Sequence, residues 1–278
     1  MHHVEDPLTD RLTIVNLIAT RLQSEHERLR SEYSQPERVP SFVLDDLLPN
    51  EIALEVYKAF PERGRMSFKN SIRERKYISA QMDQHAQIIE ETVFAFQHPS
   101  VVQLIEEITN IAGLEPDANL YAGGISAMPR GNYLKPHLDN SHDGNQENYR
   151  ALNLLYYVTP GWRADYGGNL ELWDEGVKGK PRIIESRFNR MVLMATNESS
   201  WHSVSTVVHS GTRCCVSNYY FCRKVPDGRE YFHATSFRGR PEEPVRDLIM
   251  QADNALRTSI LKMTGTRIYK NPHIYRRK

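Results

Sequence analysis

Five short runs carry the reading of the fold: ALNLLYYVT (151–159), GNLELW (168–173), RMVLMA (190–195), HSVSTVV (202–208) and RCCVSNYYFC (213–222). Each is rich in Val, Leu, Tyr or Phe, residues that suit a pleated, half-buried surface, and turn-forming residues separate them. Several such runs at short intervals predict a β-sandwich or barrel. The strand-rich zone extends over 119–224.

Outward from that zone the pattern turns helical. Upstream, Leu12, Val15, Leu17, Ile18 and Leu22 recur at helical spacing among charges, which predicts one partly exposed amphipathic helix over 8–33 and a break near 34–40. Val39–Leu44 reads as extended, and Pro49 stands where a helix running to about Phe60 begins. The stretch 64–80 is charged and irregular, with weak strand character near Lys76–Ser79. Helical patterns follow at 83–97 and 99–112, split by His98-Pro99. Downstream, PEEPVRDLIMQADNALRTSILKM (241–263) predicts one more amphipathic helix. A basic tail follows, with Arg267, Lys270, Arg276, Arg277 and Lys278 among Tyr269 and Tyr275. The expected organisation is an N-terminal helical region with a strand–helix unit packing on the core (1–118), an all-β core (119–224), and a C-terminal helix with its tail (225–278).

Composition narrows the function. The 278 residues are 40% hydrophobic and 25% charged, enough apolar material for a sizeable core. Thirty-five basic side chains balance 35 acidic ones, so no global charge points to nucleic acid or an anionic membrane. No apolar run approaches the roughly 20 residues of a membrane span. The opening MHHVEDPLTDRL lacks the layout of a secretory signal, and three cysteines clustered at 214–222 make no disulfide framework; both suit a reducing cytoplasm.

The chemistry-bearing segment is GNYLKPHLDNSHDG (131–144). His137 and Asp139 stand two apart, so on an extended strand both face the same way. An imidazole and a carboxylate side by side are two of the three ligands of a facial triad, which leaves the opposite metal positions open. His202 lies 63 residues beyond Asp139. Four or five strands intervene, a separation that lets an antiparallel roll bring a late strand beside an early one. Arg213 follows His202 by 11 residues and opens an apolar strand. A guanidinium inside a barrel requires an anionic partner, and a dicarboxylic ligand held at its other end by the metal supplies one. Gly167-Gly168, before an alternating strand, fits a tight turn or close backbone approach.

Together, HLDN…YY…GGNLEL…WHSV…GTR resembles the Fe(II)/2-oxoglutarate-dependent dioxygenase superfamily, in its prolyl 4-hydroxylase-like branch, over about residues 119–224. The resemblance implies a mainly β fold with flanking helices, its core a double-stranded β-helix (a jelly roll, cupin-like). It implies Fe(II), 2-oxoglutarate as co-substrate, O2, and ascorbate as a further candidate. His137, Asp139 and His202 match the iron ligands, and Arg213 the residue that pairs with the distal carboxylate of 2-oxoglutarate. Tyr157 matches a tyrosine donating to that carboxylate, or else is a core aromatic. Ser217, four residues after Arg213, is a hydroxyl on the same face with a similar job. One departure stands out: Met128 occupies a position where many relatives carry tyrosine. An intact Asp139 favours hydroxylation over halogenation. Expected substrates are prolyl or amino-acid-like, peptidyl or small, with 2-oxoglutarate converted to succinate and CO2.

Other residues receive plainer readings. His142 is expected exposed in its loop, His209 at the surface, Trp201 in packing, and Cys214 and Cys215 as apolar fillers facing opposite sides. The 140–150 loop, the 64–80 segment and the region beyond 224 are the candidate substrate-selecting parts. Arg73, Arg75, Lys76 and Arg150 are candidates to meet an acidic group, although each also reads as solvent-exposed. Three rival functions remain open. One is the same iron chemistry with a desaturation, cyclisation or epimerisation outcome; another is a cupin-like metal- or ligand-binding protein or sensor without turnover; the third is an oxygen or metabolite sensor acting on a partner through the basic tail. Oligomeric state is not encoded in any of these patterns.

Overall fold

The computed structural model describes residues 10–225, 228, 230–264 and 274–276. Arg267, Tyr269, Lys270, Arg277 and Lys278 of the basic tail lie outside the described residues. The elements, in chain order, are α1 (Arg11–Ser24), α2 (His26–Tyr33), β1 (Ser41–Leu44), α3 (Asn50–Lys58), β2 (Ser67–Asn70), β3 (Glu74–Ser79), α4 (Gln87–Ala95), α5 (Pro99–Thr109), β4 (Leu114–Pro116), β5 (Gly124–Pro129), β6 (Tyr133–Leu138), β7 (Tyr149–Tyr157), β8 (Leu170–Leu172), β9 (Arg182–Ile184), β10 (Arg190–Ala195), β11 (His202–Val204), β12 (Thr212–Cys222), β13 (Ser236–Phe237) and α6 (Pro244–Thr264).

The strands form one curled antiparallel sheet in the order β1-β10-β7-β12-β5-β3-β6-β11-β8-β9. Its two halves face one another as the walls of a jelly roll, as the sequence predicts. β3 joins them: Tyr77–Ser79 pair with β5, while Glu74 and Arg75 pair with β6. Residue alternation gives the first wall two surfaces. On β7 and β12, Leu152, Leu154, Tyr156, Cys214, Val216 and Tyr220 turn outward into a large apolar core shared with the helices. Tyr157 and Cys215 turn inward and pack with Leu170, Leu172, Val192 and Met194. The adjacent cysteines thus face opposite sides, as expected. Burial pushes their thiols up to about 12 (Cys214) and about 11 (Cys215), so both stay inert.

The helices back the first wall. Asp10 caps α1 by accepting from Thr13 N at 2.9 Å, and α1 buries Ile14, Val15, Ile18 and Leu22. The single helix expected over 8–33 is in fact two, broken at Glu25 (φ −111°, ψ 6°). There the apolar stripe of α1 stops at Leu22, and Leu29 and Tyr33 start a new buried face. Pro99 begins α5 as expected, and Asn110 ends it in the left-handed region. The stretch 64–80 is more regular than its charge suggests: β2 and β3 form a hairpin, with Phe68 opposite Tyr77. Cross-strand pairing supplies the order that local propensity lacks.

Beyond the barrel, the C-terminal region folds back along β6. β13 pairs with β6 through Phe237 opposite His137. Ion pairs hold α6 and the segment before it: Lys135 Nζ to Glu243 at 2.7 Å and Arg73 to Asp253 at 2.5 Å. Arg238 also pairs with Asp247 at 2.6 Å. Among the described residues no helix is long and apolar enough to cross a membrane.

Candidate metal centre and co-substrate pocket

β6 ends in the His-X-Asp motif, and β11 lies antiparallel beside it with His202 directly opposite His137. The register shifts between His202 and Val204, a bulge that aims the second histidine at its neighbour. The imidazole centroids are 4.1 Å apart. Asp139 Oδ1 lies 3.6 Å from His137 Nε2, and Oδ2 lies 3.8 Å from His202 Nε2. One ligand atom from each residue falls within 4.8 Å of the others, so the chain assembles the triad its sequence predicts.

Each ring is oriented by a backbone carbonyl two residues earlier. His137 Nδ1 donates to Lys135 O at 2.9 Å, and His202 Nδ1 to Ser200 O at 2.9 Å. A carbonyl only accepts, so Nδ1 carries a proton and, in the neutral ring, Nε2 is the lone pair turned to the centre. Burial, with His202 alongside, lowers the His137 pKa to about 3, so its ring is neutral at pH 7. Phe237 stacks on that ring at 5.3 Å. Burial alone raises the pKa of a carboxyl, but at Asp139 the Arg150 guanidinium and the two histidines outweigh it and hold it well below the usual range. Asp139 Oδ2 is buried without a formed hydrogen bond. Two bare imidazole nitrogens and an under-satisfied carboxylate are the donor set that a ferrous ion takes.

Arg150 is the residue the sequence reading misplaced. It is 3% exposed rather than solvent-facing, with Nη1 3.2 Å from Asp139 Oδ2. Its Nη2 donates to Asn140 Oδ1 at 2.9 Å, and its guanidinium lies over the Tyr219 ring at 4.5 Å. The cause is local. Arg150 N donates to Ser141 O at 2.8 Å, which folds the start of β7 back onto the loop after the motif. The same fold buries His142 (8% exposed), also expected at the surface, against Tyr149 with ring centroids 4.2 Å apart.

The second half of the site lies on the inward face of β12. Arg213 is 3% exposed, and among the described residues it pairs with no carboxylate. Its Nε donates to Ser186 Oγ at 3.2 Å, Nη1 reaches Met128 Sδ at 3.5 Å, and its guanidinium covers the Tyr157 ring at 4.7 Å. Met128, the departure noted in the sequence, thus offers this cation only a weak sulfur acceptor. Tyr157 Oη is buried beside Arg213 and Ser186 with no regular hydrogen bond, and burial pushes its pKa up to about 12. Ser217 is half-buried and donates to Gly124 O at 3.4 Å. Gly168 makes room for the arginine: at φ +70°, an added Cβ would sit 3.2 Å from Arg213 Cδ. Ser186, fully buried, donates to Gly168 O at 2.6 Å while accepting from Arg213. Nothing in the sequence marked it, because a lone serine between short strands carries no pattern. An unpaired buried guanidinium beside an unsatisfied phenol is a cradle for a carboxylate.

Residues 123–221 match the family model described as 2OG-Fe(II) oxygenase superfamily. That match covers about a third of the chain and shows what this segment is similar to. The chain is 31% identical over 96 residues to the prolyl 3-hydroxylase OGFOD1 of Mus musculus, a match spanning 33% of the chain and 17% of that relative's length. Its fold is shared with a prolyl-4-hydroxylase of Pseudomonas putida (TM-score 0.54, 15% identity, 70% of this chain and 99% of that one). It is shared also with prolyl 4-hydroxylases of Phytophthora capsici (TM-score 0.53, 15% identity, 86% and 74%). The matched family takes Fe(II) and 2-oxoglutarate as cofactors, and the His137–Asp139–His202 donor set fits the metal.

Proposed function

We propose that the chain is an Fe(II)- and 2-oxoglutarate-dependent hydroxylase of a prolyl or amino-acid-like C–H bond, in a peptidyl or small-molecule substrate. In this reading His137, Asp139 and His202 hold the metal, and Arg213, Tyr157 and Ser217 bind the far carboxylate of the co-substrate. The observation that carries it is the presence, inside one barrel, of a His-Asp-His cluster together with a buried guanidinium that meets no carboxylate among the described residues. The named prolyl hydroxylases among its relatives support the prolyl substrate. The three free, buried cysteines accord with a reducing cytoplasm.

When bound, Fe(II) and 2-oxoglutarate would let O2 oxidise an unactivated C–H bond, one oxygen atom going to the product and the other to succinate, with release of CO2. The chain's own residues position, charge and shield. The carbonyls of Lys135 and Ser200 fix both imidazole tautomers before any ligand arrives. Arg150 keeps Asp139 ionised and aimed. Arg213 forms charge-assisted hydrogen bonds with a carboxylate, and Tyr157, protonated throughout the physiological range, donates to the same group. Phe237 and the inward apolar side chains Leu170 and Leu172 limit water at the centre.

The test is spectroscopic first. Anaerobic protein with Fe(II) and 2-oxoglutarate should show a weak visible charge-transfer band, lost in His137→Ala and Asp139→Ala. Succinate release across candidate prolyl peptides and free amino acids then identifies the substrate class. Folded, metal-loaded protein that shows neither band nor succinate would be a binding protein of the cupin kind, and the hydroxylase reading would fail.

A further inference from the structure

The β2–β3 hairpin stands apart electrostatically in a chain whose total charge is zero. Residues 62–76, ERGRMSFKNSIRERK, hold six basic side chains (Arg63, Arg65, Lys69, Arg73, Arg75, Lys76) against two acidic ones (Glu62, Glu74). Some of these cations are already engaged: Arg73 with Asp253, Lys76 with Glu74, and Arg65 with the backbone carbonyl of Gln84. Arg63 and Arg75 pair with no carboxylate among the described residues. Instead they bracket an aromatic pair. Phe68 and Tyr77 stack across the hairpin at 4.5 Å with their planes 23° apart, the Arg63 guanidinium lies 5.8 Å from the Tyr77 ring, and that of Arg75 lies 5.8 Å from the Phe68 ring. Phe68 and Ile72 remain 42% and 46% exposed. Two cations, pre-oriented on a rigid stack and lacking counter-charges, face solvent on one side of the hairpin.

The backbone supplies the second half of the argument. β2 pairs only with β3, so among the described residues the outer edge of Ser67–Asn70 has no strand beside it. Such an edge is a template for an added strand. A strand placed there would alternate its side chains between two surroundings. One is the outer face, with Arg63, Phe68, Arg75 and a groove of about 760 Å³ lined in part by Lys58, Phe60 and Tyr77. The other is the inner face, which carries Lys69 and Lys76. β3 alone separates β2 from the metal-bearing β6, about 10 Å of sheet at the usual strand spacing.

The geometry points to the β2–β3 hairpin as a docking edge for an extended, acidic polypeptide segment, added as a strand against Ser67–Asn70 with its carboxylates on Arg63 and Arg75. An exposed strand edge selects a polypeptide over a nucleic acid, because only a peptide backbone satisfies both its N–H and C=O groups. The proposal rests on the hydroxylase reading only for the step after docking, in which a segment held there presents its neighbouring residues to the barrel mouth.

Binding and turnover are measured separately. The probe is a fluorescein-labelled twelve-residue peptide rich in Asp and Glu with a central proline, titrated by anisotropy against the full-length protein at low and moderate salt. Three comparisons accompany it: the same peptide N-methylated at alternate residues, a peptide with Lys in place of each acidic residue, and a single-stranded oligouridylate. The acidic peptide should bind with a strong salt dependence, and N-methylation and the charge-reversed peptide should each weaken binding about tenfold or more. Arg63→Glu/Arg75→Glu should weaken it at least as much while leaving the Fe(II)–2-oxoglutarate band unchanged. Equal binding by the double variant, indifference to N-methylation, or tighter binding of the oligouridylate would each overturn the proposal. Peptide binding without succinate release under any condition would defeat the hydroxylase reading and leave the docking edge standing. Succinate release from another substrate with no peptide binding would do the reverse.

Discussion

The barrel buries two arginines, each 3% exposed, and treats them in opposite ways. At the His-Asp-His end, Arg150 is paired with Asp139, bonded to Asn140 and backed by Tyr219. At the deep end, Arg213 has a serine hydroxyl, a thioether and an aromatic face, but no carboxylate among the described residues. A buried charge costs several kcal/mol unless compensated. Arg150 is compensated within the fold, so its work is positional and is done before any ligand binds. Arg213 is left uncompensated, so the fold carries a cost there that an anionic ligand removes. A complete ion pair marks structure, and under the proposed function the incomplete one marks where a carboxylate binds.

The sharpest way to break this contrast is to replace each arginine by methionine, which keeps much of the volume. Arg150→Met strands the Asp139 carboxylate, and should cost the metal-free protein about 3–5 kcal/mol in denaturant-induced unfolding. Added Fe(II) should widen the gap to wild type by about 1–3 kcal/mol, because a variant that binds the ion more weakly gains less stability from it. Metal affinity should itself fall about 10- to 100-fold, as for other residues that orient a ligand. A variant as stable as wild type without metal would mean that Asp139 does not depend on Arg150.

Arg213→Met should act the other way round. Removing one member of a buried, charge-assisted contact costs about 2–5 kcal/mol of ligand binding, so the dissociation constant for 2-oxoglutarate should rise about thirtyfold or more. Without ligand the protein should be as stable as wild type or slightly more so, since an uncompensated charge has left the interior. Calorimetric titration and urea unfolding of the same preparation test both halves. Marked destabilisation of the ligand-free variant would show that the protein itself satisfies Arg213.

This asymmetry also explains what the sequence revealed. The triad and Arg213 were legible because their spacing is a property of the chain: His-X-Asp at a strand end, a histidine five strands later, an arginine opening the next long strand. The barrel was legible because β-branched and aromatic runs recur between turns. Arg150 was not, since its burial arises from Arg150 N bonding to Ser141 O, a loop closure no local pattern announces. Ser186 was silent for the same reason. The β2–β3 hairpin was hidden by its charge: Phe68 and Tyr77 are its only large aromatic pair, and they meet only once the strands are in register. Periodicity reports the faces of elements, whereas these contacts depend on how elements close on one another.

Tyr157 sharpens the contrast at the deep end. Its hydroxyl is buried without a regular hydrogen bond, so Tyr157→Phe removes an unsatisfied group rather than a formed contact. The ligand-free protein should be unchanged or stabilised by up to about 1 kcal/mol, while 2-oxoglutarate affinity falls roughly five- to tenfold. A loss of stability without a loss of affinity would return Tyr157 to the plain role of a core aromatic.

Ser217 makes the finest distinction. Its Oγ already has an acceptor, Gly124 O, but at 3.4 Å the bond is long and readily exchanged. A hydroxyl that leaves a weak partner for a carboxylate gains only the difference between the two bonds. Ser217→Ala should therefore weaken 2-oxoglutarate binding no more than about two- to fivefold, within the net worth of a single hydrogen bond. In an Arg213→Met background the effect should vanish, because a carboxylate no longer drawn to the guanidinium no longer sits beside the hydroxyl. The double-mutant cycle decides the matter. Independent, additive losses would place Ser217 outside the carboxylate cradle, and coupling would place it within the same incomplete pair that Arg213 begins.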